Sequence, residues 1–185
     1  MLRRMWRRAF AIFDTAVGRC AVIWRGELLT GVLLPSADDD AMRAAVRRRA
    51  GEAQEAPAPP AIEKVIGKIT RLCAGEAVAF DDAPLDREHI EPLANRIYDI
   101  LLRVRFGETT TYGAIAEELG DKNLSRAVGA AMGANPFPIV IPCHRVTGAG
   151  GRMGGFSAPG GADTKRKLLD IEGAFAAEKL PLFGG

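Results

Sequence analysis

The chain has 185 residues, enough for one large domain or two small ones with a real hydrophobic core. Its composition, 48% hydrophobic and 26% charged, is that of a globular protein, and no apolar run approaches the length of a bilayer span, so a soluble protein without membrane partners is expected. A net charge of +2 is too small to establish a nucleic-acid partner by itself.

The opening MLRRMWRRAFAIFD has a cationic start, but Asp14 interrupts the apolar stretch too early for a secretion signal. Residues 9 to 14 read as a first strand, and a cytoplasmic or nucleoid-associated location is expected. Three widely spaced cysteines, Cys20, Cys73 and Cys143, fit reduced thiols rather than a disulfide framework. The arginines among the first eight residues and the run Arg47 to Arg49 are candidates for phosphate contact, although such runs are usually solvated faces. The segment AFAIFDTAVGRCAVIWRGELLTGVLL predicts three short strands in a small antiparallel sheet. Acids at Asp38 to Asp40 before AMRAAVRRRA predict a helix whose charges suit its macrodipole. EAQEAPAPP reads as a Pro-rich linker, followed by a helix with Ile62, Val65, Ile66, Ile69 and Cys73 on its apolar face.

A break around EAVAFDDAPLD places the domain boundary near residue 85, giving an N-terminal α/β domain (residues 1–85) and a C-terminal domain (residues 86–185). Ile97, Ile100, Leu101 and Val104 share a face of a helix ending at Gly107. Two short helical patterns, TYGAIAEELG and LSRAVGAAMGA, follow, the second after the capping candidates Asp121 and Asn123. Together they read as a helix-turn-helix in a mainly α-helical, winged-helix-like domain. FPIVIP reads as a short buried strand, GAGGRMGGFSAPGG as a loop, and DTKRKLLDIEG as a last helix capped by Gly173.

The run NPFPIVIPCHRV from Asn135 to Val146, with RAVGAAMGA before it, resembles the methylated-DNA–protein-cysteine methyltransferase family, whose hallmark is PCHRV behind an Asn-Pro and a helix-turn-helix. The resemblance covers roughly residues 90 to 173 in register, while residues 1 to 85 follow the family's variable N-terminal domain only in element order. It implies direct reversal of DNA damage: O6-alkylguanine is flipped out of duplex DNA and its alkyl group moves irreversibly to Cys143, once per molecule. Action on O4-alkylthymine is left open.

On chemistry alone, Cys143 is a good nucleophile only as a thiolate, and a free thiol near pKa ~8.5 is little ionised at neutral pH. His144 is adjacent, and an extended strand would turn it to the opposite face, so contact with the thiol needs a bend at Pro142. The resemblance implies that His144 relays the thiol proton through a water and is oriented by Glu172. It further implies that Arg126 fills the gap left by the base, and that Tyr112 crowds the target phosphate and contacts guanine. Tyr112 is also expected to serve as a donor for the charge that develops on the leaving group.

Ser125, Ala127, Gly129, Ala130 and Gly133 give the second helix a small-sided surface suited to a narrow groove, or to close helix packing. The resemblance implies that Asn135, Pro138, Val146, Phe156 and Ser157 are the pocket residues, the Ser157 backbone standing where relatives donate to guanine O6. The loop departs from the family's spacing after Ser157, and Pro159 is expected to stiffen it as a wall of the alkyl pocket. Arg145 reads as structural. No nucleotide-binding glycine motif and no metal-ligand spacing is present, so neither cofactor nor metal is expected, and the protein is expected to act as a monomer. Cys143 argues against a damage binder that lacks an acceptor thiol, and the helix-turn-helix argues against a cysteine hydrolase.

Overall fold

In the computed structural model, which describes residues 7–157 and 160–174, the N-terminal apolar segments become β1 (Arg8–Thr15), β2 (Gly18–Arg25) and β3 (Leu28–Leu33), joined as antiparallel neighbours. Successive residues of β2 point to opposite faces and feed two cores, Ala21 and Ile23 on one side, Val22 and Trp24 on the other. Helix α1 (Asp39–Ala50) brings Met42 and Val46 to the first face. Asp38 caps it by accepting from Ala41 N–H, with acids in its first turn and Arg47 to Arg49 in its last, as the sequence predicts. Helix α2 (Pro60–Cys73) covers the other face with Ile62, Val65, Ile69 and Leu72, while Ile66 is only partly buried.

The sheet is not purely antiparallel. Strand β4 (Gln54–Glu55) pairs in parallel with β1, giving a mixed four-stranded order β3-β2-β1-β4. These residues lie in the segment read as a linker: both are exposed and polar, so no apolar alternation marks a pairing made by the backbone alone.

Helix α3 (Pro92–Arg103) ends before Val104, short of the expected Gly107, and residues 104 to 107 turn instead towards the last helix. Strand β5 (Thr110–Thr111) leads into the helix pair α4 (Tyr112–Glu118) and α5 (Ser125–Gly133). Neither capping candidate caps α5. Asp121 accepts from Asn123 N–H to cap a 3-10 turn, Lys122–Leu124, and α5 starts after Leu124 without a side-chain cap.

FPIVIP is not a strand. Pro138 and Pro142 have no N–H to give a ladder, and Ile139 takes φ 72°, a left-handed conformation that costs a β-branched residue about 1–3 kcal/mol. The segment is a compact turn, ending in a 3-10 turn at Cys143–Arg145 and in β6 (Val146–Thr147), which pairs with β5 in parallel. Helix α6 (Gly161–Ile171) closes the described chain. Its end has the hydrogen bonds of a Schellman cap, Gly173 N–H to Asp170 C=O and Ala174 N–H to Leu169 C=O, so Gly173 takes the expected role.

One apolar cluster crosses residue 85, running from Val22 and Leu29 through Ile69 and Leu72 to Ile97, Ile141 and Leu168. The outer rail of β3 is also occupied. Leu29 N–H donates to Pro84 C=O at 2.7 Å, Asp86 N–H to Leu29 C=O at 2.8 Å, and Val32 N–H to Pro136 C=O at 2.9 Å. Through the last of these the sheet holds the turn that carries Cys143. No helix among the described residues is long and apolar enough to cross a membrane.

Candidate active site

Cys143 follows the bend at Pro142 that the adjacent histidine requires, and only 6% of it is exposed. Asn135 braces the turn before it: the side-chain amide donates to Ile141 C=O at 2.9 Å and its carbonyl accepts from Phe137 N–H at 2.9 Å. The Ile141 carbonyl also accepts from Cys143 N–H at 2.8 Å, so one oxygen ties the thiol's own backbone to Asn135. Burial pushes the Cys143 thiol up from its ordinary pKa. Against this act a hydrogen bond with Asn135, the charge of Lys165 and the backbone amides of Cys143 and His144. At rest the sulfur therefore holds its proton.

His144 and Glu172 are brought together as the sequence reading requires, 28 residues apart in the chain and 2.8 Å apart between Nε2 and Oε1. Arg145 donates to both carboxylate oxygens at 2.9 Å, and Gly107 N–H adds a fourth donor at 3.3 Å. Gly107 has φ 82°, and a Cβ there would stand 3.1 Å from Glu172 C=O, so the close approach needs a residue without a side chain. Burial alone would raise the Glu172 carboxyl, but the hydrogen bonds from His144 and Arg145 outweigh it and hold its pKa at about 2. A carboxylate can only accept, so His144 Nε2 carries a hydrogen and Nδ1 the lone pair. Burial lowers the His144 pKa and keeps the ring neutral, and Nδ1 has no protein partner among the described residues. The arrangement is a base with its orientation fixed.

Two adjoining cavities reach Cys143. The one open towards α5, about 420 Å³, is bounded by Tyr112, Gly129, Met132, Phe156 and Ser157. The other, about 170 Å³, lies towards β3 and includes Asn135, Pro138, Phe156 and Ser157. Tyr112 is the first residue of α4, and the loop closes on it through Gly154, where a Cβ would come within 3.0 Å of the hydroxyl. Burial, with the nearby Cys143, raises the Tyr112 pKa, so the phenol remains a hydrogen-bond donor. Ser157 Oγ donates to Gly133 C=O at 3.2 Å, fastening the loop to the end of α5. Val146 is fully buried and faces neither cavity; its carbonyl accepts from Lys165 Nζ at 2.5 Å.

On α5, Arg126 is exposed, Ala127 and Gly129 are half-buried, and Ser125 Oγ donates to Lys122 C=O. A Cβ on Gly129 or Gly133 would meet nothing within 4 Å, so packing inside the protein does not demand small residues there. Arg3 and Arg4, and Pro159 with its expected stiffening of the loop, lie outside the described residues.

The family model described as 6-O-methylguanine DNA methyltransferase, DNA binding domain, matches residues 92–174. A methylated-DNA–protein-cysteine methyltransferase of Mycobacterium tuberculosis is 39% identical over 127 residues, 69% of this chain and 74% of that protein. The chain belongs to the methylated-DNA–protein-cysteine methyltransferase family. A DNA base-flipping protein of Thermus thermophilus is 47% identical over 102 residues, 55% of this chain and 66% of that protein. The crystal structure of Mycobacterium tuberculosis OGT in complex with DNA has a TM-score of 0.71 and 30% identity, over 89% of this chain and 92% of that one.

In this methyltransferase-family chain one charged residue at the site escaped the sequence reading. Lys165 is fully buried, yet it stands in TKRKLL among solvated lysines and arginines. The available signal was its spacing, since Lys165, Leu168 and Leu169 form an i, i+3, i+4 apolar stripe. Burial lowers its pKa and Cys143 raises it, so ammonium and thiolate favour one another. Lys165→Met is therefore expected to raise the Cys143 pKa and slow its alkylation by iodoacetamide by about tenfold at neutral pH. A pH profile of that reaction checks it; a profile superimposable on wild type would remove Lys165 from the site. Cys20, by contrast, is pushed up to about 12, by burial first and then by Cys73.

Proposed function

We propose that this protein repairs duplex DNA by direct reversal, extruding O6-alkylguanine into the cavity beside α5 and transferring its alkyl group to Cys143 in one irreversible turnover. The observation that carries this reading is a buried thiol at the floor of an open cavity, next to a neutral histidine whose free nitrogen is defined by Glu172. Family membership supports the same chemistry.

In the proposed reaction His144 Nδ1 takes the thiol proton through a bridging water, and Glu172, held by Arg145 and Gly107, steadies the resulting imidazolium. The sulfur attacks the alkyl carbon in line. The C–O bond breaks, its electron pair passes to guanine, and the Tyr112 hydroxyl stabilises that charge. The product is a thioether, which water does not cleave under mild conditions, so the protein does not turn over.

The helix pair, with its winged-helix-like character, is the proposed DNA-binding part of a C-terminal domain starting near residue 86. A base inside the stack cannot reach a pocket, so Arg126 is assigned to the space the base leaves, with Ser125, Ala127 and Gly129 against the groove. Arg126→Ala is expected to slow transfer from duplex at least about tenfold more than transfer from free O6-methylguanine, where nothing has to be extruded. Equal losses on the two substrates would leave Arg126 as a positioning charge only. Mass spectrometry after incubation with excess O6-methylguanine duplex tests the whole reading. One methyl on the Cys143 peptide and no further product are expected, whereas repeated turnover, or a methyl on Cys20 or Cys73, would overturn it.

A further inference from the structure

An in-line displacement fixes the oxygen, the attacked carbon and the sulfur on one axis, so any group larger than hydrogen on that carbon must project sideways. The cavity beside α5 is filled by the base in the proposed reaction. The remaining space at the thiol is the side cavity of about 170 Å³ towards β3. Its walls include Val32, Leu34, Pro138 and Asn135, and at one end stands Arg49, the single charged residue lining it among the described residues.

Arg49 is the last arginine of α1, and although exposed it lies back across the sheet beside Gly31. A Cβ at Gly31 would stand 3.4 Å from Arg49 Nε and 3.7 Å from its Cδ, which places the side chain in contact with β3. Only its backbone carbonyl is engaged, by Arg8 Nη1 at 3.5 Å, and among the described residues no carboxylate or carbonyl holds the guanidinium. The residue as a whole is exposed, and the water lost where its side chain lies against the sheet pulls its pKa down while leaving it cationic. A cation that lines a cavity shared with the nucleophile, with no carboxylate beside it among the described residues, favours an anion there.

We propose that Arg49 makes the side cavity a subsite for the anionic end of an alkyl group, so that O6-alkylguanines whose alkyl carbon bears a carboxylate are preferred over neutral adducts of the same size. The inference rests on the alkyl-transfer reading. The step balances as for methyl: the C–S bond forms, the C–O bond breaks, and the guanine that leaves takes up the one proton the thiol gives. The carboxylate remains on the thioether, paired with Arg49.

The test uses identical duplexes carrying O6-methylguanine, O6-carboxymethylguanine or the neutral isostere O6-carbamoylmethylguanine, with single-turnover rate constants for wild type, Arg49→Lys and Arg49→Gln. The quantity read is the carboxymethyl-to-carbamoylmethyl ratio, from which DNA affinity and thiol reactivity cancel. It should fall about tenfold in Arg49→Gln, the worth of one charged hydrogen bond, and be largely kept in Arg49→Lys. An unchanged ratio in Arg49→Gln overturns the subsite, and absence of methyl transfer by the wild type overturns the alkyl-transfer reading instead. If Arg49→Gln does not fold, the wild type decides with iodoacetate and iodoacetamide. Cys143 should favour the anionic reagent relative to a small free thiol, and the free thiol's own selectivity would refute the subsite.

Discussion

Cys143→Ala is expected to abolish alkyl transfer completely while duplex binding survives. The side chain removed is a single sulfur at the meeting point of two cavities, and α5 with Arg126 keeps its place without it. The other two thiols offer no substitute. Cys20 and Cys73 are both buried, and neither lines a cavity that reaches Cys143. Transfer of radiolabel from O6-methylguanine duplex, measured beside a gel-shift titration, separates the two functions. Residual label on the variant would mean that another side chain accepts the alkyl group, and loss of binding would mean that the sulfur also holds the turn together.

Glu172→Gln is expected to be the most costly conservative change at the site. The carboxylate has four donors around it, and the amide replaces its charge with a group that must itself donate. Arg145 then becomes a buried cation without a counter-charge, a defect of about 3–5 kcal/mol. The pH dependence gives a second signature. Glu172 has a folded pKa of about 2 against an ordinary 4.5, so its contribution is complete above 4.5 and is lost as pH falls from there towards 2. The difference corresponds to at most about 3 kcal/mol. His144, whose pKa burial lowers from 6.5, acts in the same direction: the unfolded chain takes up its proton first, and stability starts to fall below 6.5. Urea midpoints at about pH 7 and about pH 3.5 should therefore lie closer together in Glu172→Gln than in wild type. Equal separations would mean that the carboxylate contributes nothing through its charge. Alkyl transfer should fall as well, because the imidazolium formed during the reaction loses its counter-charge.

How much of this was legible beforehand differed by element. The helices announced themselves through spacing and caps: Asp38 before α1, the apolar face of α2 and Gly173 after α6 each carry a local signal. The pairing of His144 with Glu172 was available only through the family resemblance, since 28 residues of chain separate them and no periodicity links them. Arg145 read as structural, and its bidentate hold on Glu172 emerges only in three dimensions. FPIVIP misled because its apolar run matches a buried strand equally well, and what decides against one is the pair of prolines together with φ at Ile139. Strand β4 was invisible because backbone groups alone make it. Lys165 was hidden by the charged residues beside it, and the cavity at Arg49 is formed by segments too distant in sequence to be joined by inspection.

The hydrogen bond from Val32 to Pro136 sets a condition for anyone who would build a chimera from this protein. The catalytic half cannot be grafted onto an arbitrary partner sheet, because the carbonyl just ahead of the Ile139 bend must find a donor of matching height and direction on a strand rail. A host that buries the same apolar area but ends one residue out of register would present its pleat's other face, leave that carbonyl unsatisfied, and let the bend relax. The thiol sits seven residues beyond that anchor, so the error would be read as lost reactivity in a well-folded hybrid.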